Sequence, residues 1–371
     1  MAKIVYLADV NSAHTQKWVK GALKQNFQVS IFSLSAVESL WMNELKDVKI
    51  FSYNQRNEVA NASQLTKLSY LKSLKALKNF INQENPDVIH AHYASSYGFM
   101  GALSGFHPYF LSVWGSDVYE FPKKSFVHRE IFKWNLYQAD CILSTSNSMA
   151  KETAKYTNKK IEVTPFGVDI EMYKPNVQNS DYFTIGTVKS LEKKYGIDDL
   201  IETFSLLLEE KFEKPLRLLI VGDGTERKRL EDIVLEKKIT DKVIFTGKVK
   251  QDEVASFHQQ LDIFVALSVD DSESFGVSTV EAMSCSIPVV VSDVSGFKEV
   301  VVNNETGFIV QKKNPQLAFK AIKKLLLNND LRKQIGENAR RHVTNEYDWK
   351  KNFSNVVVLY KKFISGLVIE S

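Results

Sequence analysis

Only two of the 371 residues are cysteine, Cys141 and Cys285, and both stand in apolar surroundings, ADCILSTS and AMSCSIPVVV. No CxxC pair and no Cys/His cluster accompanies them, so buried inert thiols are expected rather than a disulfide, a metal pair or thiol chemistry. Long apolar runs are missing as well: none approaches the roughly 18 residues that a membrane-spanning helix requires. The opening MAKIVYLADV has no basic n-region, apolar h-region or cleavage site and runs straight into a strand-like segment, which gives the expectation of a cytoplasmic protein. No Asp-x-Asp triplet occurs; Asp270 and Asp271 are adjacent rather than spaced, and a bound metal is not expected. A dense basic stripe is absent too, which argues against nucleic acid as a partner.

What is present is ordinary for a globular protein: 44% hydrophobic and 25% charged residues, enough for two domains of about 150 residues with cores of their own. The net charge of +4 is uneven. Residues 1–175 hold 20 Lys/Arg against 15 Asp/Glu, the remainder 28 against 29. The mild excess in the first half is compatible with a preference for anionic membrane surface.

Short β-branched runs recur along the chain: KIVYLAD (3–9), QVSIFSL (28–34), VKIFSY (48–53), PDVIHAHY (86–93), FLSVWGSD (110–117), DCILSTS (140–146) and KIEVTPFG (160–167). Helical patterns lie between them, notably 64–82 and 126–139. After a linker at 167–182 the pattern restarts with FTIGTV (183–188), LRLLIVGDG (216–224), KVIFTG (242–247), LDIFVALS (261–268), IPVVVSD (287–293) and GFIV (307–310). Such alternation predicts two α/β domains, each a doubly wound parallel sheet. The predicted boundaries are 1–167, 168–346 and a final helix, 347–371, folding back on the first domain. In this architecture ligands bind at the carboxyl ends of the strands, here in the cleft expected between the two sheets.

The strongest chemical signal is ESFGVSTVE (273–281), a turn that opens a helix. A helix N-terminus presents unpaired amides and a positive dipole end, which suits phosphate. Gly276 permits close backbone approach, and Glu273 and Glu281 can accept bonds from hydroxyls. Taken alone, the segment also reads as an ordinary strand-to-helix turn with a dipole-favoured Glu. Its place after LDIFVALSVDD and before IPVVVSDVSGFKEVV resembles the C-terminal domain of retaining glycosyltransferases of the GT-B fold, glycosyltransferase family 4. The resemblance covers nearly the whole chain.

It implies that Glu273 orients the donor sugar, that Glu281 meets the ribose, and that Phe275, Gly276, Val277 and Ser278 line the donor site. GTVKSLEKKYGIDDLIETF (186–204) is similar to the family's G-R-L-x-x-x-K-G element, with Lys189 on its Arg and Lys194 on its Lys. Two cations there would stabilise a departing diphosphate without metal, although an ammonium lacks the bidentate grip of a guanidinium. Lys193 reads as surface. Gly222 in LLIVGDGTERKRLEDI and Lys248 and Val249 in FTGKV match segments on the nucleotide side, with structural turns as the alternative.

In the first half, Asn11–His14 occupies the place of a Gly-Gly turn that touches the diphosphate. Ser12 and Ala13 are small enough for close approach, and His14 either caps the following helix or contacts phosphate. His92 in HAHY is an acceptor-side candidate. SVWGSDV (112–118) departs from the family's T-x-H-G-x-D: Trp114 replaces the His and cannot take a proton, which leaves Asp117 to orient the acceptor hydroxyl. Gly167 and Asp169 in TPFGVD read as structural, and Glu299 in SGFKEVV caps or binds. The helix at 64–82 sets Leu65, Leu68, Leu71, Leu74, Leu77 and Ile81 on one face beside lysines, for core packing or for a membrane surface.

The resemblance therefore implies a metal-independent hexosyltransferase with no cofactor, which uses a nucleoside diphosphate sugar (UDP favoured over GDP) and a glycan, glycolipid or lipid-linked acceptor. The acceptor hydroxyl would attack from the leaving-group face, deprotonated by the departing phosphate. Two other readings are a different chemistry on the same fold, and a non-catalytic nucleotide-sugar-binding subunit of another transferase.

Overall fold

The computed structural model describes residues 1–38, 48–53, 67–176 and 180–366. The chain forms two compact units, Met1–Pro165 with Phe353–Ser371, and Phe166–Asn352.

Unit 1 is built on seven strands: β1 (Lys3–Leu7), β2 (Gln28–Ser33), β3 (Lys49–Ser52), β4 (Val88–His92), β5 (Tyr109–Val113), β6 (Cys141–Ser144) and β7 (Ile161–Val163). All pair in parallel, in the order β3-β2-β1-β4-β5-β6-β7. The inner strands are buried along their length, and for that reason they read in sequence as apolar runs rather than as alternations. Helices cover the faces and begin at side-chain caps where the sequence supplies them. Ser125 accepts the amide of His128 and Ser146 that of Met149. The helix expected over 64–82 is observed as Lys67–Glu84. Leu65, and the side chains of Leu68 and Leu71, lie outside the described residues. Leu77 and Ile81 are buried and Leu74 packs against the same core, while Lys72, Lys75 and Lys78 are exposed, so the described part of this face is a core face.

The helix Trp349–Ile364 closes unit 1. Phe353 stands edge-on to Trp18 at 5.6 Å, and the Tyr360 hydroxyl meets His90 Nδ1 at 2.6 Å and the Tyr6 hydroxyl at 3.3 Å.

Unit 2 has six strands: β8 (Phe183–Val188), β9 (Leu216–Val221), β10 (Val243–Phe245), β11 (Ile263–Ala266), β12 (Val289–Ser292) and β13 (Gly307–Val310). They too are parallel, in the order β10-β9-β8-β11-β12-β13. The helix Ile197–Leu207 buries Ile197, Leu200, Ile201, Phe204 and Leu207, one stripe at helical spacing, against this sheet. In both units the strand order reverses about the first strand, at β1/β4 and at β8/β11. The carboxyl ends of these pairs are where a doubly wound sheet leaves a crevice.

Candidate active site

At the switch point of unit 2, Lys189 follows directly on β8 and the chain leaving β11 carries Glu273. Lys189 Nζ lies 2.5 Å from Glu273 Oε2, and the other carboxylate oxygen accepts the Gly276 amide at 3.1 Å. One glutamate thus joins the cation to the start of the helix Val277–Ser284. Gly276 caps that helix in the left-handed region, φ +78°, where a side chain is disfavoured and where a Cβ would collide with the Phe297 ring at 2.7 Å. The first rung of the helix runs from the Val280 amide to the Gly276 carbonyl, so the amides of Val277, Ser278 and Thr279 lie ahead of the ladder at the positive end of the dipole. Phe275 is buried, its ring edge-on to Phe166 and Tyr347, so only its backbone is available to a ligand.

Burial works against the charge on Lys189, but Glu273, Tyr195 and the more distant Glu281 outweigh it and hold the ammonium above the usual lysine range. Tyr195 was not expected from the sequence. Its ring takes the Lys189 ammonium at 4.2 Å and the Lys194 ammonium at 5.5 Å, so one aromatic ring gathers both expected cations. Its only signal is that Tyr195 interrupts the Lys–Gly step of the motif. Lys193 is exposed, as expected of a surface residue.

Gly222 serves this loop from β9. With φ +132°, its α-carbon is pressed so closely to the Lys189 carbonyl that a Cβ would stand 2.0 Å from the oxygen. The amide of Lys189 donates to Val221, that of Leu191 to Asp223, and that of Glu226 back to Leu191. The Gly-Asp-Gly turn is therefore a clamp on the lysine loop. Lys248 is exposed and Val249 half-buried beyond β10, tied to this turn through the Gly222–Gly247 bridge.

Glu281, one turn into the helix, is paired with the fully buried His258, Nε2 to Oε2 at 3.2 Å. Its charge also contributes, after burial, to raising the Tyr173 hydroxyl. Glu299 does not cap its helix: that N-terminus is held by Asp271, whose Oδ1 accepts from the Ser295 amide at 2.8 Å and hydroxyl at 2.9 Å. Gly167 is left-handed against the Tyr347 carbonyl, and Asp169 accepts the Glu171 and Met172 amides, both structural duties.

The unit 1 candidates gather around Trp114, whose ring lies 4.5 Å from that of His92 and 5.6 Å from that of His14. His92 is buried with neither ring nitrogen hydrogen-bonded, and burial, His90 and His14 all keep it neutral. Ser12 occupies the N-cap position of the helix Ala13–Lys24 without a side-chain bond, and Ala13 is exposed beside it. The expectation that Asp117 meets an acceptor hydroxyl does not fit its surroundings. It is fully buried and its oxygens accept the amides of Ala94 at 2.7 Å, Gly115 at 2.7 Å and Trp114 at 3.1 Å. It holds the loop that carries Trp114.

Among the described residues no three His, Cys, Asp or Glu side chains converge on a point, and no helix is long and apolar enough to cross a membrane. Cys141 and Cys285 are free and buried, their thiols pushed up to about 12 by burial.

Comparison with known proteins bears on the family and the fold. The family described as "Glycosyl transferases group 1" matches residues 169–342, and "Glycosyl transferase 4-like" matches residues 3–146. An uncharacterised glycosyltransferase of Methanocaldococcus jannaschii is 29% identical over 89% of this chain and 90% of its own. The N-acetyl-alpha-D-glucosaminyl L-malate synthase of Bacillus anthracis is 27% identical over 75% of each. Among solved structures, Anabaena HepE in complex with UDP and glucose superposes with a TM-score of 0.81 over 98% of this chain and all of the other, at 18% identity, which establishes the GT-B fold.

Proposed function

Since the chain belongs to the group 1 glycosyl transferases and is a transferase by that membership, we propose that it moves a hexosyl-type sugar from a nucleoside diphosphate sugar, UDP-linked in preference to GDP-linked, to a hydroxyl of a glycan, glycolipid or lipid-linked acceptor, with retention and without a bound metal. The observation that carries this reading is the convergence of Lys189, Glu273 and the start of the helix Val277–Ser284 on one spot at the unit 2 switch point. The UDP-bound state of a protein with the same fold supports the choice of donor class.

In this mechanism the diphosphate sits against the Val277–Thr279 amides, where the dipole end and the Lys189 and Lys194 ammonium groups meet the negative charge that grows as the bond to the sugar breaks. Glu273 accepts from sugar hydroxyls while it keeps Lys189 in place. Glu281, held by His258, accepts from the ribose. The acceptor hydroxyl attacks from the face the phosphate leaves, and its proton passes to the departing phosphate, since Trp114 cannot take one and Asp117 is committed to backbone amides. Trp114 offers an aromatic face to the acceptor, with His92 and His14 packed against it.

A thermal-shift series with UDP-, GDP- and ADP-sugars tests the reading, because a ligand that binds only the folded state raises its melting point. A shift with UDP-sugars and sugar release that persists in chelator are expected. No shift with any of the three sinks the donor assignment, and activity lost to chelator and restored by magnesium or manganese sinks the metal-independent mechanism.

A further inference from the structure

The positive charge of unit 1 is concentrated. Residues 121–160 hold eight Lys/Arg against three acids, Glu130, Asp140 and Glu152, an excess that matches that of the whole stretch 1–175. The acids are engaged: Glu130 with Lys133 at 2.9 Å, Glu152 with Lys155 at 2.5 Å and Lys123 at 3.4 Å, and Asp140 with His107 at 2.6 Å.

The same stretch exposes large apolar side chains. Phe126 is 68% exposed, its neighbour Val127 62% and Tyr137 71%. Phe126 and Tyr137 stand at the two ends of the helix Phe126–Gln138. At about 100° per residue their separation returns to nearly the same side of the helix, roughly 16 Å along it. Each aromatic carries a cation: the Arg129 guanidinium lies 5.2 Å from the Phe126 ring and the Lys159 ammonium 5.3 Å from the Tyr137 ring. Scattered exposed apolar residues need no explanation. Two adjacent ones at a helix start, a third on the same side and a cation over each of the two aromatic rings do.

We propose that the helix Phe126–Gln138 and its lysine surround lie on an anionic lipid surface. Phe126, Val127 and Tyr137 enter the headgroup layer, and the lysines and Arg129 meet lipid phosphates. The contact is peripheral, since no described helix is long and apolar enough to span a bilayer. Nucleic acid would answer the charge but gains nothing from the Phe126–Val127 pair. The proposal stands apart from the transferase reading.

The test is sedimentation of the full-length protein with vesicles. Phosphatidylcholine containing about one third phosphatidylglycerol takes the protein down, and phosphatidylcholine alone does not. The double variants Phe126→Ser/Val127→Ser and Lys123→Glu/Lys124→Glu each lower the partition coefficient at least about tenfold, with the wild-type melting temperature kept. Failure to sediment with the anionic vesicles overturns the proposal, as does unchanged partition in both variants. So does a result in which only the charge variant loses binding, and loses it equally for a DNA duplex, which reassigns the patch to polyanions in general. No arm reads sugar transfer, so a failure here and a failure of the proposed reaction are separate results.

Discussion

Lys189 and Glu273 are 84 residues apart in sequence and 2.5 Å apart in space, in the segments that follow the two strands between which the unit 2 sheet reverses its order. The pair is largely covered, with side-chain exposures of 22% and 9%. A covered ion pair is a weak source of stability, because desolvation offsets most of the attraction. Its value here lies in placement: the cation is fixed beside a helix dipole end before any anion arrives, so little reorganisation is left for the moment of reaction.

Replacing Glu273 with Ala is therefore expected to separate chemistry from binding. Transfer falls by about two orders of magnitude or more, the scale of losing one preorganised group at a reacting centre. Nucleoside diphosphate affinity stays within about threefold, since the amides and both ammonium groups remain. Steady-state rates and titration calorimetry with the nucleoside diphosphate read the two quantities. Equal rates in variant and wild type remove Glu273 from the reaction.

The same pair has a pH signature. The folded-state pKa of Lys189 is raised, chiefly by Glu273 against the opposing effect of burial. Its contribution is then fully present below the unfolded lysine value of about 10.4 and is lost as pH rises through the higher folded value. In Glu273→Gln the burial of Lys189 loses its main counterweight. The melting-temperature gap to wild type should therefore be widest near neutral pH and narrow as pH rises into and through the lysine range. A gap that stays constant from neutral pH to about 11 rejects Lys189 as its source.

Much of this arrangement was readable from local sequence. The parallel strands announce themselves as apolar runs because both their faces are covered, and the turn before the helix Val277–Ser284 is legible because Glu273 and Gly276 are three residues apart. What could not be read is set by distance along the chain. His258 finds Glu281 from 23 residues away, and Tyr360 finds His90 from 270. Asp117 looked catalytic because nothing near it in sequence says that the Ala94 amide needs an acceptor. Tyr195 was invisible for another reason: a ring that takes two ammonium groups has no spacing rule of its own.

Gly222 offers a cleaner test of the lysine loop than any lysine variant. Gly222→Ala must move the Lys189 carbonyl, 2.0 Å from the added carbon, whereas Gly105→Ala, also at positive φ, meets nothing within 4 Å. Both variants carry the backbone cost of about 1 kcal/mol. Only Gly222→Ala should lose more than that in urea unfolding, roughly 2 kcal/mol further, and lose transfer at temperatures where circular dichroism shows it folded. Transfer at the wild-type rate in folded Gly222→Ala means that the clamp does not position Lys189.

Asp117 separates positioning from catalysis. A carboxylate there satisfies amides from three residues in a fully buried setting. An amide in its place keeps one oxygen and turns a donor toward the backbone donors. Asp117→Asn should then cost about 2–4 kcal/mol in urea unfolding, since buried donors lose their acceptor. Its effect on transfer should appear mainly in KM for the acceptor, through the displaced Trp114 ring, with kcat changed far less. If Asp117 instead took the acceptor proton, Asp117→Asn would be as stable as wild type, inactive at saturating acceptor, and without the acidic limb of the pH–rate profile. That outcome would return Asp117 to the reaction and leave the Ala94, Trp114 and Gly115 amides satisfied by some other acceptor.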